Sequence, residues 1–263
     1  MTRTTISSCL VTLLLAGVVC LPASADDWTY WRGPQRDGHS PETGLPSSWS
    51  PDGENLAWRV PYGGRSTPIV LGDHVYLQNA SGEGADRQER IMCFHADTGE
   101  LLWERRINLY MSDVPPHRVG WASPVGDPAT GNVFVYTVVG SLLSFSSNGE
   151  LLWDRSLSED FGLITTHGGR TASPVIEGNL LIVSGLSSGW GEQARGGQRF
   201  FAFDKTTGDT QWVSSPGGRP YDTTYAPPYA TEVAGVRLLI TGGGDGAMHA
   251  LKPQTGESVW RFE

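Results

Sequence analysis

The strongest constraint on how this chain can fold is an eleven-residue segment that it repeats. The segment AFDKTTGDTQW, at residues 202–212, returns as ALKPQTGESVW at residues 250–260, with Ala, Thr, Gly and Trp in the same places. Two further copies are CFHADTGELLW, at residues 93–103, and the shorter SFSSNGELLW, at residues 144–153. Recurrence of this kind predicts a fold built from similar units that pack side by side.

Each copy has an apolar partner upstream, in which a small residue and a proline lead into two short strands joined by a glycine turn. These partners begin at Ser66, Ala122, Ala172 and Ala226. With the two strands of the repeated segment, this predicts four strands per repeat. The fold class is therefore all-β, a β-propeller of four-stranded antiparallel blades at about 66–106, 122–156, 172–214 and 226–263. A β-solenoid is the alternative, although solenoid repeats are shorter.

The glycine and the tryptophan of the repeat have different expected roles. The glycine supplies the left-handed backbone that a tight hairpin turn needs. The tryptophan follows on the next strand, where its ring can pack against the adjoining repeat. The expected docking residues are Gly99, Gly149, Gly208 and Gly256 with Trp58, Trp103, Trp153, Trp212 and Trp260.

The segment AFDKTTGDTQW resembles the docking motif of the pyrroloquinoline-quinone (PQQ)-type propeller repeat, Ala-x-Asp-x-x-Thr-Gly-x-x-x-Trp. The copy that ends at Trp260 departs from this motif at Lys252, and the copy that ends at Trp103 departs from it at Cys93 and His95. The resemblance covers roughly residues 55–263 and implies a PQQ-like propeller. Because the motif joins blade to blade, it implies no substrate.

Proteins that this repeat resembles generally have seven or eight blades, whereas four repeats and one N-terminal closing strand are expected here. That strand is the segment ENLAWRV, at residues 54–60. The resemblance therefore implies an incomplete ring, the N-terminal half of a longer protein whose missing blades complete it. A closed four-bladed ring and a ring made of two half-rings are the alternatives.

The first 25 residues have the pattern of a secretory signal peptide, with Arg3, an apolar run from about Leu10 to Leu21, and Ala-Ser-Ala at residues 23–25. An N-terminal anchor helix is the alternative. The sequence thus predicts an exported protein of the periplasm or cell envelope. Residues 26–53 are expected to be a leader that packs on the propeller through Trp28, Trp31 and Trp49.

Charge and cysteine content restrict the function classes. The formal net charge of −9 makes the protein a poor general binder of nucleic acid or anionic membrane. Of the three cysteines, only Cys93 lies beyond the signal, so no internal disulfide supports the fold.

The PQQ dehydrogenases of the family place an adjacent Cys-Cys disulfide over the quinone and hold calcium with carboxylate and amide groups. This sequence has no Cys-Cys pair, so no residue carries over as catalytic or cofactor-binding. The non-catalytic branch, which includes the outer-membrane β-barrel assembly lipoprotein, is the better resemblance. It implies a scaffold that binds a protein or small molecule without a cofactor. The alternative is a PQQ- and calcium-dependent alcohol or sugar oxidoreductase whose remaining parts lie beyond Glu263.

Three short patterns are weak indications of chemistry. GLSSG, at residues 185–189, fits the Gly-x-Ser-x-Gly nucleophile elbow around Ser187, but no helix is expected after it. GGGDG, at residues 242–246, lacks the lysine of a phosphate-binding loop and is expected to be a hairpin turn. Cys93 and His95 share a strand face without a second pair of metal ligands. We therefore predict no catalytic residue and no metal site.

The best candidate binding residues lie in the loops that lead into the first strand of each blade. In a propeller, such a loop crosses one face toward the central channel, and binding sites favour loops on a rigid scaffold. Arginines there could bind carboxylates or phosphates, or could simply tie the loops to the scaffold. The candidates are Arg65, Arg118, Trp121, His167, Arg170, Arg219, Tyr221 and Tyr225.

Overall fold

The computed structural model describes residues 26–110, 114–164, 169–187, 196–221 and 224–263. The strands of these residues form four antiparallel sheets, one for each repeat, and neighbouring strands of a sheet follow one another along the chain. This confirms the predicted all-β propeller fold with four-stranded blades.

The blades are built from short strands and one short helix. The first blade consists of β1 (Ile69–Leu71), β2 (His74–Ser81), β3 (Gln88–His95) and β4 (Leu101–Asn108). The second consists of β5 (Val125–Asp127), β6 (Asn132–Tyr136), β7 (Ser141–Phe145) and β8 (Leu151–Ser156). Helix α1 (Leu157–Phe161) and strand β9 (Leu163–Ile164) come next. The third blade consists of β10 (Val175–Glu177), β11 (Leu180–Ser187), β12 (Gly197–Asp204) and β13 (Thr210–Ser214), and β9 pairs with β11. The fourth consists of β14 (Tyr229–Val233), β15 (Val236–Gly242), β16 (Met248–Leu251) and β17 (Ser258–Phe262).

Neighbouring blades pack face to face because side chains along a strand alternate between its two faces. In β12, Phe201 and Phe203 join the core shared with the second blade, whereas Phe200 and Ala202 join the core shared with the fourth. Full burial of one large apolar side chain contributes about 1.5–3 kcal/mol. A blade is therefore stabilised on both faces only when it has a neighbour on each side.

Each tryptophan of the first three repeats lies on the glycine turn of the following blade. The indole Nε1 of Trp103 donates a hydrogen bond to the carbonyl of Ser147 in the second blade, at 2.8 Å. The indole Nε1 of Trp153 likewise donates to the carbonyl of Lys205 in the third blade, at 3.1 Å. That of Trp212 donates to the carbonyl of Pro253 in the fourth blade, at 3.0 Å. Trp58 donates to Ala96 of the first blade at 2.6 Å.

The glycines of these turns are needed for two reasons. Gly149 has a φ of 76°, in the left-handed region that glycine favours. In addition, a Cβ atom at Gly149 would lie 2.6 Å from Cδ2 of Trp103, which is too close for any side chain. The sequence predicted the first reason, but the second depends on the neighbouring blade.

Two elements of the expected docking pattern differ in the structure. Residues 54–60, expected as a closing strand, form no strand, because no described strand runs beside them to exchange hydrogen bonds. Trp58 nevertheless lies against Gly99. Trp260 lies on β17, is 39% exposed, and has no glycine turn of the described residues to pack on. The outer face of the fourth blade is therefore uncovered in the described chain.

The leader begins by crossing the first strands of two blades, β1 and β5, which lie next to each other. Trp28 exchanges two backbone hydrogen bonds with Val70 of β1, both at 2.9 Å. The carbonyl of the next residue, Thr29, accepts a hydrogen bond from the N–H of Gly126 in β5 at 2.9 Å. Tyr30 is buried in the core between the second and third blades. This part of the leader thus packs on the strands that line the propeller axis.

Glu177 ties the leader to two more blades. Arg237 of β15 donates both Nε and Nη2 to the Glu177 carboxylate, at 2.6 and 2.8 Å. Arg36 of the leader lies 3.7 Å from the same carboxylate and donates to the carbonyl of Ile176. Trp49, expected to anchor the leader, is instead 75% exposed, because the leader turns away from the blades after these contacts.

The predicted signal peptide, residues 1–25, lies outside the described residues. Among the residues that the structure does describe, no helix is long and apolar enough to cross a membrane.

Candidate functional site

A cleft opens where the loops that lead into the first strands of the four blades meet. Its volume is about 430 Å³, and we call it the channel cleft. The residue directly before the proline of each repeat lines it: a hydroxyl residue in the first three blades and Pro227 in the fourth. The lining residues are Trp31, Arg65, Thr67, Trp121, Ser123, Thr171, Ser173, Tyr225 and Pro227.

Hydroxyl groups form one wall of the channel cleft and are connected from blade to blade. The Oγ of Ser123 accepts a hydrogen bond from the backbone N–H of Thr67 at 2.8 Å, and the Oγ of Ser173 accepts one from the N–H of Ser123 at 2.9 Å. Thr171 is 4% exposed, and its Oγ1 has no hydrogen-bond partner among the described residues. In the fourth blade Pro227 takes the corresponding place, so the series ends there.

Arg65 and two aromatic rings also line the cleft, and Arg170 contacts both rings. The guanidinium carbon of Arg65 lies 5.5 Å from the ring centroid of Trp121. The guanidinium carbon of Arg170 lies 5.9 Å from Trp121 and 4.8 Å from Tyr225, and its Nη1 donates to the Tyr225 hydroxyl at 3.0 Å. Trp121 and Tyr225 meet edge to face at 6.0 Å. Cation–π contacts of this kind hold the guanidinium planes in place.

The electrostatics of the channel cleft favour an anion. Among the residues that the structure describes, no aspartate or glutamate lines it. Arg65 is exposed and forms no ion pair with any carboxylate of the described residues. An arginine stacked on an aromatic face keeps the N–H edge of its guanidinium available for two parallel hydrogen bonds to an oxyanion. The cleft is thus cationic in a protein whose net charge is −9.

The structure separates the predicted site residues into groups. Arg65, Trp121, Arg170 and Tyr225 come together at the channel cleft. Arg219 and Tyr221 line a second cleft of about 460 Å³. Arg118 lies in the 3-10 turn Pro116–Arg118 and lines neither of these two clefts. His167 lies outside the described residues.

The second cleft is organised by a buried aspartate that the sequence analysis did not single out. The Oδ1 of Asp245 lies 3.0 Å from Nε2 of His249, and its Oδ2 accepts the N–H of Gly218 at 3.0 Å. Arg261 lies 3.3 Å from the same carboxylate. Although burial raises the pKa of Asp245, hydrogen bonds from His249, Gly218 and Ala247 outweigh it and hold the pKa well below its usual value. The GGGDG segment is the β15–β16 turn, as predicted, and its aspartate is a structural anchor.

We expect Asp245→Asn to destabilise the protein by about 1–2 kcal/mol at pH 7, because the amide leaves one of the surrounding donors without an acceptor. The lowered pKa means that the carboxylate stabilises the folded state above the ordinary value of 3.8 and loses this effect as the pH falls. Urea unfolding at pH 7 and pH 3 should therefore show a difference between variant and parent that shrinks at pH 3. An equal difference at both pH values would contradict this assignment.

Sequence reasoning missed Trp31, Thr67, Ser123, Thr171 and Ser173. A signal was present for three of them, because Thr67, Ser123 and Ser173 each stand directly before the proline of their repeat. Trp31 carried no such signal, since it lies in the leader and reaches the cleft only through the path of that segment.

The residues of the weaker sequence patterns, Ser187, Cys93 and His95, make contacts within the blades. The Oγ of Ser187 donates to the carbonyl of Gly197 at 3.3 Å and accepts from Nε of Arg199 at 3.0 Å, within the β11–β12 pair. Cys93 is buried in the core between the first two blades. His95 accepts the N–H of Asp97 at its Nδ1, at 3.2 Å. In the described part of the chain, no three His, Cys, Asp or Glu side chains are grouped so that they could hold a metal ion.

Comparison with known families identifies the fold's relatives. A PQQ-repeat family model described as outer membrane protein assembly factor BamB matches residues 16–186 and again residues 87–263. The chain belongs to this PQQ-like propeller family. A search of curated proteins gave no match.

Solved structures with this fold include both enzymes and an assembly factor. The quinohemoprotein alcohol dehydrogenase of Comamonas testosteroni is 16% identical with a TM-score of 0.52, and it aligns over 76% of this chain and 35% of its own. ADHIIG of Pseudomonas putida HK5, also a quinohemoprotein alcohol dehydrogenase, is 18% identical with a TM-score of 0.50 over 79% and 35%. BamB of Moraxella catarrhalis is 18% identical, with a TM-score of 0.48 over 78% and 51%. This chain thus spans about a third of the length of the two dehydrogenases and half that of this BamB.

The residues of the channel cleft do not fit a calcium–quinone pair. Calcium prefers carboxylate and amide oxygens, and the described residues that line the cleft include no Asp, Glu, Asn or Gln. The described cysteine, Cys93, lies in the blade core and away from the channel. The chemistry that the cleft residues do supply is hydrogen-bond donation from hydroxyls and a guanidinium, beside flat aromatic surface.

Proposed function

We propose that this propeller is a non-catalytic binding module of the periplasm or cell envelope, and that its channel cleft holds an anionic ligand or an anionic group of a partner protein. The observation that carries the proposal is Arg65, stacked on Trp121 without a carboxylate partner among the described residues. Arginines that only tie loops to a scaffold end on carbonyls or carboxylates, as Arg105 does on Gly149. Arg65 instead lines a cleft in which the described lining residues include no carboxylate.

The positions of Arg170 and Arg219 support the choice of Arg65 as the ligand-binding arginine. Arg170 contacts Trp121 and Tyr225 and is expected to position both rings. Arg219, in the second cleft, lies beside Asp245, whose carboxylate makes that cleft less suited to an anion.

The proposal is tested with simple anions. Acetate, methyl phosphate and methyl sulfate are titrated into the mature protein, and the fluorescence of Trp31 and Trp121 reports occupancy. We expect saturable changes that weaken about tenfold or more in Arg65→Ala, since a charge-assisted pair is worth roughly 1.5–3 kcal/mol. They should also weaken as sodium chloride is added, because the charges are partly exposed.

Arg59→Ala is the matched control, because Arg59 is an exposed arginine of the 54–60 segment and lines neither cleft. Equal titrations for the parent, Arg59→Ala and Arg65→Ala would overturn the proposal.

The alternative function, a quinone-dependent oxidoreductase, is separated by a second assay. Protein is incubated with PQQ and calcium, and reduction of an electron-acceptor dye is followed with alcohols and sugars. The binding-module proposal expects no dye reduction above that of the cofactor alone. Reduction that requires the protein would replace it with the oxidoreductase.

The export part of the proposal rests on residues 1–25 and has its own test. The N-terminal sequence of the protein purified from its source should begin at Asp26 and be found in the envelope fraction. A protein that keeps Met1 and remains with the cytoplasm would contradict export.

A further inference from the structure

We infer that the ligand of the channel cleft is an acidic saccharide, a sugar ring that carries a carboxylate. This inference rests on the proposed function and names the chemical class that the cleft would hold. It follows from three properties of the cleft that one ligand has to satisfy together: a cation that forms no ion pair with a described carboxylate, buried hydroxyls with unused hydrogen-bonding capacity, and flat aromatic surface.

The cation requires a negative group on the ligand. Arg65 has no ion pair with a described carboxylate, and its stacking on Trp121 leaves the guanidinium edge free to bind two oxygens. A neutral sugar would leave this charge unmatched. A ligand with a carboxylate matches it with two parallel hydrogen bonds, the geometry that arginine favours.

The hydroxyl wall requires several polar groups in addition to the charge. The Oγ atoms of Ser123 and Ser173 each accept one backbone N–H, and no described residue accepts a hydrogen bond from either hydroxyl. Thr171 is buried, and its Oγ1 has no partner in the described chain. A buried polar group without a partner costs about 1–3 kcal/mol, so a ligand that satisfies it gains affinity.

The aromatic surface requires an apolar face on the same ligand. Trp31 and Tyr225 both line the cleft and are partly exposed. The faces of aromatic rings carry negative electrostatic potential, which attracts the slightly positive C–H groups on the face of a sugar ring. A sugar acid combines such a face with hydroxyls at its edge and a carboxylate. The volume of about 430 Å³ is within the range of small-molecule sites.

Other anions satisfy fewer of these groups. An aromatic acid such as benzoate offers a flat face and a carboxylate but no hydroxyls, so it leaves Oγ1 of Thr171 without a described partner and the Ser123 and Ser173 hydroxyls without an acceptor for their protons. Acetate offers the charge alone. Sites built to hydrogen-bond hydroxyls discriminate strongly against ligands that lack them, because the buried polar groups then remain unpaired.

The experiment compares ligands that differ in one property at a time, measured by calorimetry or tryptophan fluorescence on the mature protein. The ligands are D-galacturonate and its disaccharide, galactose as the neutral match, benzoate and acetate as acids without sugar hydroxyls, and PQQ. We expect the galacturonates to bind about tenfold or more tightly than galactose, benzoate or acetate.

Two variants identify the groups responsible. Arg65→Ala should weaken galacturonate and acetate alike, because both depend on the charge. Thr171→Val keeps the shape and removes the hydroxyl, so it should weaken galacturonate several-fold and leave acetate unchanged. Thermal unfolding checks that each variant is folded. If a variant is not folded, the ligand series on the parent protein still tests the saccharide inference.

The outcomes separate this inference from the proposed function. If acetate or benzoate binds as tightly as galacturonate, and its binding is weakened in Arg65→Ala, the proposed anion site is supported and the saccharide inference is wrong. If PQQ binds more tightly than every sugar acid, the inference is also wrong and the oxidoreductase alternative is favoured. If no anion depends on Arg65, both the inference and the proposed function fail.

Discussion

Gly149→Ala is expected to destabilise the protein by about 3 kcal/mol or more, whereas Gly131→Ala should cost only about 1 kcal/mol. Both glycines belong to the second blade, and their φ angles are nearly equal, 76° and 74°. The left-handed backbone therefore penalises alanine equally at the two positions. They differ in what a new Cβ atom would meet: Cδ2 of Trp103 at 2.6 Å from Gly149, and no atom within 4 Å of Gly131.

The extra cost at Gly149 comes from the contact between blades. To accept a methyl group there, the Trp103 ring has to move, and movement breaks the hydrogen bond from its Nε1 to the carbonyl of Ser147. The ring also packs against Tyr76 and Phe145, so its displacement disturbs the core between the first two blades. Overpacking of this kind typically costs 1–3 kcal/mol on its own, by the usual rough range.

Urea unfolding of the parent and the two variants measures the difference. We expect a lower midpoint for Gly149→Ala at an unchanged dependence on urea. In a Trp103→Leu background the difference between the two glycine substitutions should shrink, because the clashing ring is gone. If both alanine variants lose the same stability in the parent background, the turn glycines serve only the backbone conformation.

The second large effect is a fall in stability between pH 5 and pH 8 that depends on Glu89. Glu89 is 0% exposed, in β3 at the contact between the first two blades. Its Oε2 accepts the N–H of Val138 at 2.8 Å, and Gln78 and the N–H of Gly120 also donate to the carboxylate. Burial outweighs these three hydrogen bonds and raises the pKa of Glu89 to about 7.

The direction of the effect follows from the two pKa values. Between the ordinary value of 4.5 and the folded value of about 7, the folded protein keeps a proton that the unfolded chain has released. Stability therefore falls as the pH rises through this window, by up to about 1.4 kcal/mol per pH unit. The contribution is fully present below the ordinary value and is lost above the folded one.

Glu89→Gln should remove this pH dependence, so that the variant becomes more stable than the parent at pH 8 by a few kcal/mol at most. The third blade shows that glutamine suits the position. Gln198 is the second residue of β12, as Glu89 is of β3, and its Oε1 accepts the N–H of Gly244 in the next blade at 2.9 Å. In the first blade, the unpaired Oε1 of Gln78 could accept from the new amide after rotating.

Chemical unfolding at half-unit steps from pH 5 to pH 8 checks the prediction, with Glu150→Gln as an exposed control. Parallel curves for the parent and Glu89→Gln would show that Glu89 is not the group that titrates. A curve for Glu150→Gln that flattens as well would show that the effect is one of net charge.

The role of the turn glycines and tryptophans was predictable because it is written in short, repeated segments. A Thr-Gly or Asn-Gly turn followed by a tryptophan strand specifies a hairpin within about ten residues, and four copies of it specify blades. Glu89 and Gln198 each accept a hydrogen bond from a backbone N–H of the following blade, and this role was not predictable in the same way. The two positions differ in residue type, although an arginine follows each, and their partners lie in the following blade.

The channel cleft was predictable only in part. The sequence indicated that loops rich in arginine and aromatic residues meet at one face, and Arg65, Trp121, Arg170 and Tyr225 do meet there. It did not separate them from Arg219, which lies in another cleft.

The family, the four repeats and their strand order can be predicted from the sequence, because these depend on local turn chemistry and on alternation within a strand. Which side chains share a site depends instead on how the blades pack. Trp31 and Tyr225 are almost two hundred positions apart, and they line one cleft because the leader crosses the inner strands and the blades turn around an axis. Those relations arise from packing between blades, and no single repeat contains them.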